Sequence, residues 1–257
     1  MSLAGRVGLV TGAGRGVGRG IALALAEDGA DVAINYRRDA DAAAEVVAAV
    51  EALGRRARAY QASVDDFEQD REMVGQIEAD LGPIGVLINN AGIASRGQAV
   101  ADTEPAEMQR VVACHAFAPH YLSKLVIPKM RELGRGDIVM ISSVATRSLG
   151  AFGAPYNMGK CAMEALAFTL AKEERPHGIR VNIVAPGLVE TEMGRRLMKA
   201  SAGVKDLRDL DKLMPFGRVC QPEDVANVVR FLVSERNSSL TGERVYCDGG
   251  GQQALRA

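Results

Sequence analysis

The sequence predicts a doubly wound α/β fold: a parallel seven-stranded sheet with helices on both faces, in a single domain. Two observations predict it. Short apolar runs alternate with longer helical patterns along the whole chain, and this rhythm is characteristic of α/β architecture. A glycine-rich turn, Thr11-Gly12-Ala13-Gly14-Arg15-Gly16-Val17-Gly18, joins the first run to the first helical pattern.

The first strand is Val7–Thr11, and the helical pattern Val17–Asp28 follows it. Val32–Asn35 and Ala40–Leu53 form the next strand and helix, then Arg58–Gln61 and Phe67–Leu81. Val86–Asn90 leads to the longest pattern, Pro105–Leu133. Ile138–Ser142 precedes Tyr156–Arg175; Val181–Ala185 precedes Pro222–Ser234; Arg244–Cys247 is the last strand. Several strands are nearly all apolar, as a parallel sheet covered on both faces requires. Glu192–Pro215 breaks the rhythm with dense mixed charge, and reads either as a substrate flap over residues 192–215 or as a surface excursion. No repeat or linker divides residues 1–257.

Composition excludes several functions. With 31 Lys+Arg against 32 Asp+Glu, no basic field attracts nucleic acid or an anionic membrane. Apolar stretches are too short to span a bilayer, and the strand beginning at Val7 leaves no room for a leader, so a cytoplasmic protein is expected. Cys114, Cys161, Cys220 and Cys247 form no C-x-x-C. With His115, His120 and His177 they give no metal-ligand spacing, so no metal is expected and the thiols read as small packed groups in a reducing compartment.

Three features carry chemistry. In the glycine-rich turn, Gly12, Gly16 and Gly18 let backbone N–H groups approach a pyrophosphate at the start of a helix, with Arg15 and Val17 beside them. The end of the second strand reads Asn35-Tyr36-Arg37-Arg38, with no acid before Asp39 to hold a ribose 2′-hydroxyl. A 2′-phosphate would gain from Arg15 and Arg37: two unit charges at 4 Å attract by about 1 kcal/mol in water and about 4 kcal/mol at an effective dielectric near 20. NADP(H) is therefore expected over NAD, the alternative being that Arg37 and Arg38 are merely solvated. Third, Tyr156 and Lys160 stand four residues apart and share a helix face, and Ser143 precedes the tyrosine by thirteen residues. An ammonium beside a phenol favours the phenolate and makes the tyrosine a proton donor and acceptor near neutral pH.

Thr11-Gly12-x-x-x-Gly16-x-Gly18, Asn89-Asn90-Ala91-Gly92, Ser143, Tyr156-x-x-x-Lys160 and Ala185-Pro186-Gly187 occur in this order. Together they resemble the short-chain dehydrogenase/reductase family, over nearly the whole chain. The resemblance implies a Rossmann-type sheet and hydride transfer between a nicotinamide C4 and a ketone or alcohol. It implies that Tyr156 donates the proton and that Ser143 binds the same oxygen. Lys160 then binds the nicotinamide ribose and lowers the tyrosine pKa. Asn90, Ala91 and Gly92 would lie against the cofactor. Tyr36, Ser63 and Val64 would border the adenosine. Val189 and Thr191, after Pro186-Gly187, would hold the carboxamide.

Two positions depart from the family pattern. His115 stands where the family usually has a helix asparagine, and either relays a proton or simply packs there. Ser63 stands where an acid commonly contacts the adenine, and Asp65 reads as a helix start.

Within the family the chain resembles 3-oxoacyl-[acyl-carrier-protein] reductases, which implies a 3-oxoacyl thioester substrate and an acidic carrier partner. Lys124, Lys129, Arg131, Arg135, Lys172 and Arg175 would form the docking patch, although Glu132, Glu173 and Glu174 interleave with them. Arg96 and Leu149–Phe152 are further candidates for the pocket lining. A small ketone, quinone, steroid-like or polyketide substrate is the alternative, and a non-catalytic dinucleotide sensor is a reading from another class. The resemblance also implies a homotetramer.

Overall fold

The computed structural model describes residues 3–251. The two ends of the expected 1–257 domain therefore lie outside the described residues.

The chain alternates strand and helix through β1 (Val7–Val10), α1 (Gly16–Glu27), β2 (Asp31–Tyr36), α2 (Ala40–Ala52), β3 (Ala57–Gln61), α3 (Phe67–Asp80) and β4 (Ile84–Asn89). Next come α4 (Pro105–Val112), a π-helical turn (Ala113–Phe117) and α5 (Ala118–Glu132). The second half adds β5 (Gly136–Ile141), α6 (Ala145–Ser148), α7 (Ala154–Glu174), β6 (Ile179–Pro186), α8 (Glu192–Ala202), α9 (Pro222–Val233) and β7 (Arg244–Cys247). All seven strands are parallel, in the order β3-β2-β1-β4-β5-β6-β7.

The strand order reverses between β1 and β4, which opens a crevice at their carboxyl ends. Two apolar layers cover the sheet. Met73, Ile77, Leu122, Met130 and Met163 pack on one face, and Ile21, Leu25, Val46, Val229 and Leu232 on the other. β1, β4 and β5 are buried along their whole length, which is why they carry so few polar residues.

The sequence reading of Pro105–Leu133 as one helix is corrected. An α-helical ladder would need the N–H of residue 119 to bond the carbonyl of residue 115, and Pro119 has no N–H. The chain widens there into a π turn, closed by the Ala118 N–H on the Ala113 carbonyl. The region 192–215 holds α8 and a further helical turn. Thr191 caps α8 by accepting the Gly194 N–H at 3.1 Å, and a 3₁₀ turn spans Leu207–Leu213.

Candidate active site

The phosphate loop is braced from three strands. Gly12 and Gly16 adopt φ of +60° and +55°, a region that L side chains rarely enter. A Cβ on Gly18 would stand 2.5 Å from both the Asn90 amide nitrogen and the Gly12 carbonyl. The Gly12 N–H donates to Asn35 Oδ1 (3.1 Å), and Asn90 Nδ2 donates to the Thr11 carbonyl (2.8 Å). The Thr11 hydroxyl accepts the Asn90 and Ala91 N–H groups at 2.9 Å each and donates to the Ile88 carbonyl. Asn90 and Ala91 thus build the loop itself. Thr11 and Asn35 were missed as site residues; their signal was a polar residue closing an otherwise apolar strand. Arg15 caps α1 with no side-chain bond, so the first N–H groups of that helix retain the capacity to bind an anion. Backbone cradle and helix start together fit a pyrophosphate.

At the end of β2, a cavity of about 500 Å³ is lined by Arg37, Arg38, Gln61, Ser63, Asp65, Gln69 and Arg110. Arg110, from α4, is a third guanidinium that the sequence reading did not place here. Arg15 instead pairs with Glu192 at 2.8 Å. Both partners are well exposed, and a pair of that kind contributes about 0–1 kcal/mol, so a phosphate can compete for the guanidinium. The Ser63 hydroxyl donates to Asp65, and the cap of α3 is Asp66, which accepts the Glu68 and Gln69 N–H groups. The reading of Asp65 as the helix start is corrected by one residue. Val64 is buried.

β5, α6 and α7 bring the catalytic candidates together. Ser143 follows β5, and its Oγ accepts the Ala145 N–H at 3.1 Å, leaving its hydrogen free to donate. Tyr156 lies in the first turn of α7, and Lys160 Nζ sits 5.8 Å from the tyrosine ring centre one turn later. Lys160 is 3% exposed and donates to the Ile141 carbonyl at 2.6 Å. Burial pushes its pKa down to about 8, opposed by Cys114 and Glu164.

Burial raises the Tyr156 phenol, and a hydrogen bond with Ser143 opposes that rise. Burial thus outweighs the expected lowering of the phenol by Lys160. The ammonium is directed at a backbone carbonyl, and the cost of desolvating a phenolate prevails.

His115 sits in the π turn, 1% exposed, with its ring edge-on to Tyr156 at 5.0 Å between centres. Two glycines make room for it. A Cβ at Gly92 would meet the ring at 2.7 Å, and one at Gly159 would meet His115 Cβ at 2.8 Å. Its Nε2 lies 2.8 Å from the Ile93 carbonyl, and Nδ1 has no partner among the described residues. Burial first and the Lys160 charge second push its pKa down to about 3. The imidazole is therefore neutral wherever the protein would work.

The loop after β6 closes the site. Gly187 N–H donates to the Cys247 carbonyl at 3.0 Å, and Val189 bridges Cys220. Thr191 Cγ2 lies 3.2 Å from where a Gly16 Cβ would project, so this loop stands over the phosphate turn. The Cys220 and Cys247 sulfurs, both free thiols, are 3.9 Å apart behind it. Among the described residues, no group of three or more His, Cys, Asp or Glu is placed to hold a metal ion.

A family model described as Enoyl-(Acyl carrier protein) reductase matches residues 12–252. The chain belongs to the short-chain dehydrogenase/reductase family. Nodulation protein G of Azospirillum brasilense is 35% identical to it over 246 residues, 95% of this chain and 97% of that protein. The 3-oxoacyl-[acyl-carrier-protein] reductase of Staphylococcus epidermidis RP62A is 34% identical over 247 residues, covering 94% and 97%. A short-chain type dehydrogenase/reductase from Mycobacterium marinum superposes with a TM-score of 0.88 at 31% identity, covering 97% and 96% of the two chains.

Membership makes the protein an oxidoreductase of a family that binds a nicotinamide dinucleotide and acts on small molecules. No helix among the described residues is long and apolar enough to cross a membrane. Three of the six expected carrier-docking cations are paired within the chain. Arg131 forms a two-pronged pair with Glu174, Lys129 pairs with Glu78, and Arg135 pairs with Asp137. This favours the reading of mixed, solvated helix faces.

Proposed function

We propose that the chain is an NADPH-dependent reductase of a ketone with an apolar flank, a 3-oxoacyl thioester before other carbonyl compounds. The observation that carries the reaction class is the convergence of Ser143, Tyr156 and Lys160 beside a pyrophosphate cradle. A bound nicotinamide supplies the hydride. Tyr156 gives its proton to the carbonyl oxygen, and the Ser143 hydroxyl donates a second hydrogen bond to it. Two donors aimed where negative charge develops stabilise the transition state most where water is excluded. Lys160, charged below about pH 8, stabilises the phenolate left behind.

Gly12, Gly16, Val17 and Gly18 would hold the pyrophosphate. Tyr36, Ser63 and Val64 would border the adenosine, and Pro186, Gly187, Val189 and Thr191 the nicotinamide. Arg37, with Arg38 and Arg110 from the same cavity, would attract the 2′-phosphate. His115 supports catalysis by position: its neutral ring ties the Ile93 backbone to the Tyr156 face, which suits packing and not proton relay.

The substrate reading rests on an apolar lip. Leu149 and Phe152, between Ser143 and Tyr156, are exposed and hold φ of +47° and +63°. Such backbone conformations cost about 1–3 kcal/mol each, and they concentrate at binding sites. Met158, beside Tyr156, and Met193 and Leu197 of α8 are also exposed. We read residues 192–215 as the flap that closes this lip over the substrate.

Absorbance loss of NADPH with a panel of ketones, including 3-oxoacyl thioesters of graded chain length, tests the reading. Turnover is expected to rise with chain length and to prefer NADPH over NADH. Replacing Arg37 and Arg38 by Ala should narrow that preference about tenfold or more. Tight NADPH binding with no turnover of any ketone would favour the sensor. The family's homotetramer is proposed for this chain too, supported by the exposed Phe117 at the π turn. Light scattering should give four chains per particle; a monodisperse monomer refutes it.

A further inference from the structure

Glu164 has no role in the reaction described above, yet it is one of the most heavily bonded carboxylates in the molecule. It is 4% exposed and sits one helical turn beyond Lys160 on α7. The Ser142 hydroxyl donates to its Oε1 at 2.6 Å, and the Thr146 hydroxyl lies 2.9 Å from the same oxygen. Arg244, on β7, donates to Oε2 at 2.6 Å. Ser142 immediately precedes Ser143, and Thr146 also lies 2.9 Å from the Ser143 carbonyl. One buried carboxylate therefore clamps both sides of the turn that presents the Ser143 hydroxyl.

We propose that Glu164 is a positioning residue of the reductase: its carboxylate fixes the Ser142–Thr146 turn, and so the Ser143 hydroxyl, and holds a negative charge near the Lys160 ammonium. This rests on the catalytic reading of Ser143, Tyr156 and Lys160. Burial lowers the Lys160 pKa, and Cys114 and then Glu164 oppose that fall. The other groups facing Lys160 are Tyr156 on its own helix and Cys114 and His115 on the π turn. The Cys114 thiol, pushed up to about 11 by burial, and the neutral His115 carry no charge near pH 8. Glu164 in turn faces Arg244 from β7 and Cys161, whose thiol is raised mainly by burial. It is thus the anion among these neighbours that favours the ammonium in the working range.

Glu164→Gln removes the charge and leaves a carbonyl oxygen for the two hydroxyls. Ketone reduction is expected to lose about tenfold or more in kcat through the loosened turn. The NADPH dissociation constant should change less than about twofold. The alkaline limb of kcat/KM should move down by about one pH unit or more, because Lys160 loses its proton earlier without the neighbouring anion. Glu164→Asp keeps the charge and should return the limb toward the parent position. A folded Gln variant with the parent kcat and pH profile overturns the proposal. If the Gln variant does not fold, Thr146→Val serves as the second test. It should lower kcat without moving the limb, and an unchanged kcat counts against the clamp. Tyr156→Phe run alongside separates the two levels. Retained turnover there defeats the catalytic reading itself, whereas a dead Phe variant beside a normal Gln variant defeats only the role of Glu164.

Discussion

Tyr156→Phe is expected to reduce ketone turnover by about 10²–10⁴-fold, the usual contribution of a positioned general acid. NADPH affinity should stay within about threefold of the parent. The reasoning turns on what the substitution leaves in place. The phenyl ring keeps its edge-on contact with His115 and its place near Lys160. Only the hydroxyl and its hydrogen bond with Ser143 are lost. A folding defect is therefore not expected, and stability should change by about 1 kcal/mol, the worth of one neutral hydrogen bond. Steady-state rates at saturating NADPH, with a thermal melt of each protein, give the answer. Parent-level kcat in the Phe variant would remove the proton donor from the mechanism.

Asp70→Asn is expected to stabilise the protein above neutral pH by on the order of a few kcal/mol. Asp70 lies on α3 with no exposed surface, and neither carboxylate oxygen has a partner among the described residues. Burial first, then the charges of Asp66 and Asp65, push its pKa up to about 8. The unfolded chain has an ordinary aspartate near pH 4. Between those values the native state binds a proton that the unfolded state does not, so stability falls as pH rises from about 4 to 8. Asparagine cannot ionise and removes that slope. For a chain of this size the gain at pH 8 corresponds to roughly 5–10 °C in Tm, and it should vanish at pH 4.

Lys160 acts in the adjacent window with the opposite sign. Its native pKa of about 8 lies below that of an unfolded lysine, so its contribution improves as pH rises from about 8 toward 10. The two effects are separable in a melting series from pH 4 to 10. A variant whose Tm tracks the parent at every pH would show that Asp70 is already solvated or paired.

The strand–helix rhythm, the phosphate turn and the Ser143, Tyr156, Lys160 set were legible because each is local. A strand buried on both faces must be apolar, a backbone that approaches a phosphate must be glycine, and two side chains on one helix face must be four residues apart. The misses were relations between segments distant in sequence. Pro119 stood in plain view, but that its missing N–H would widen the helix at His115 depends on the turn having somewhere to go. Gly92 and Gly159 supply that space from two other segments. Arg110 joins Arg37 and Arg38 around one cavity only through the tertiary fold.

The sequence by itself determined the order of elements, the glycine-rich turn after β1 and the helix-face pair proposed to move the proton. Tertiary structure alone decided the charge states. Lys160 is directed at the Ile141 carbonyl, His115 is kept neutral and Asp70 is sealed without a partner among the described residues. The physical reason is desolvation. A residue type fixes which proton can move, but the free energy of moving it depends on how much water and which charges the folded chain leaves around it.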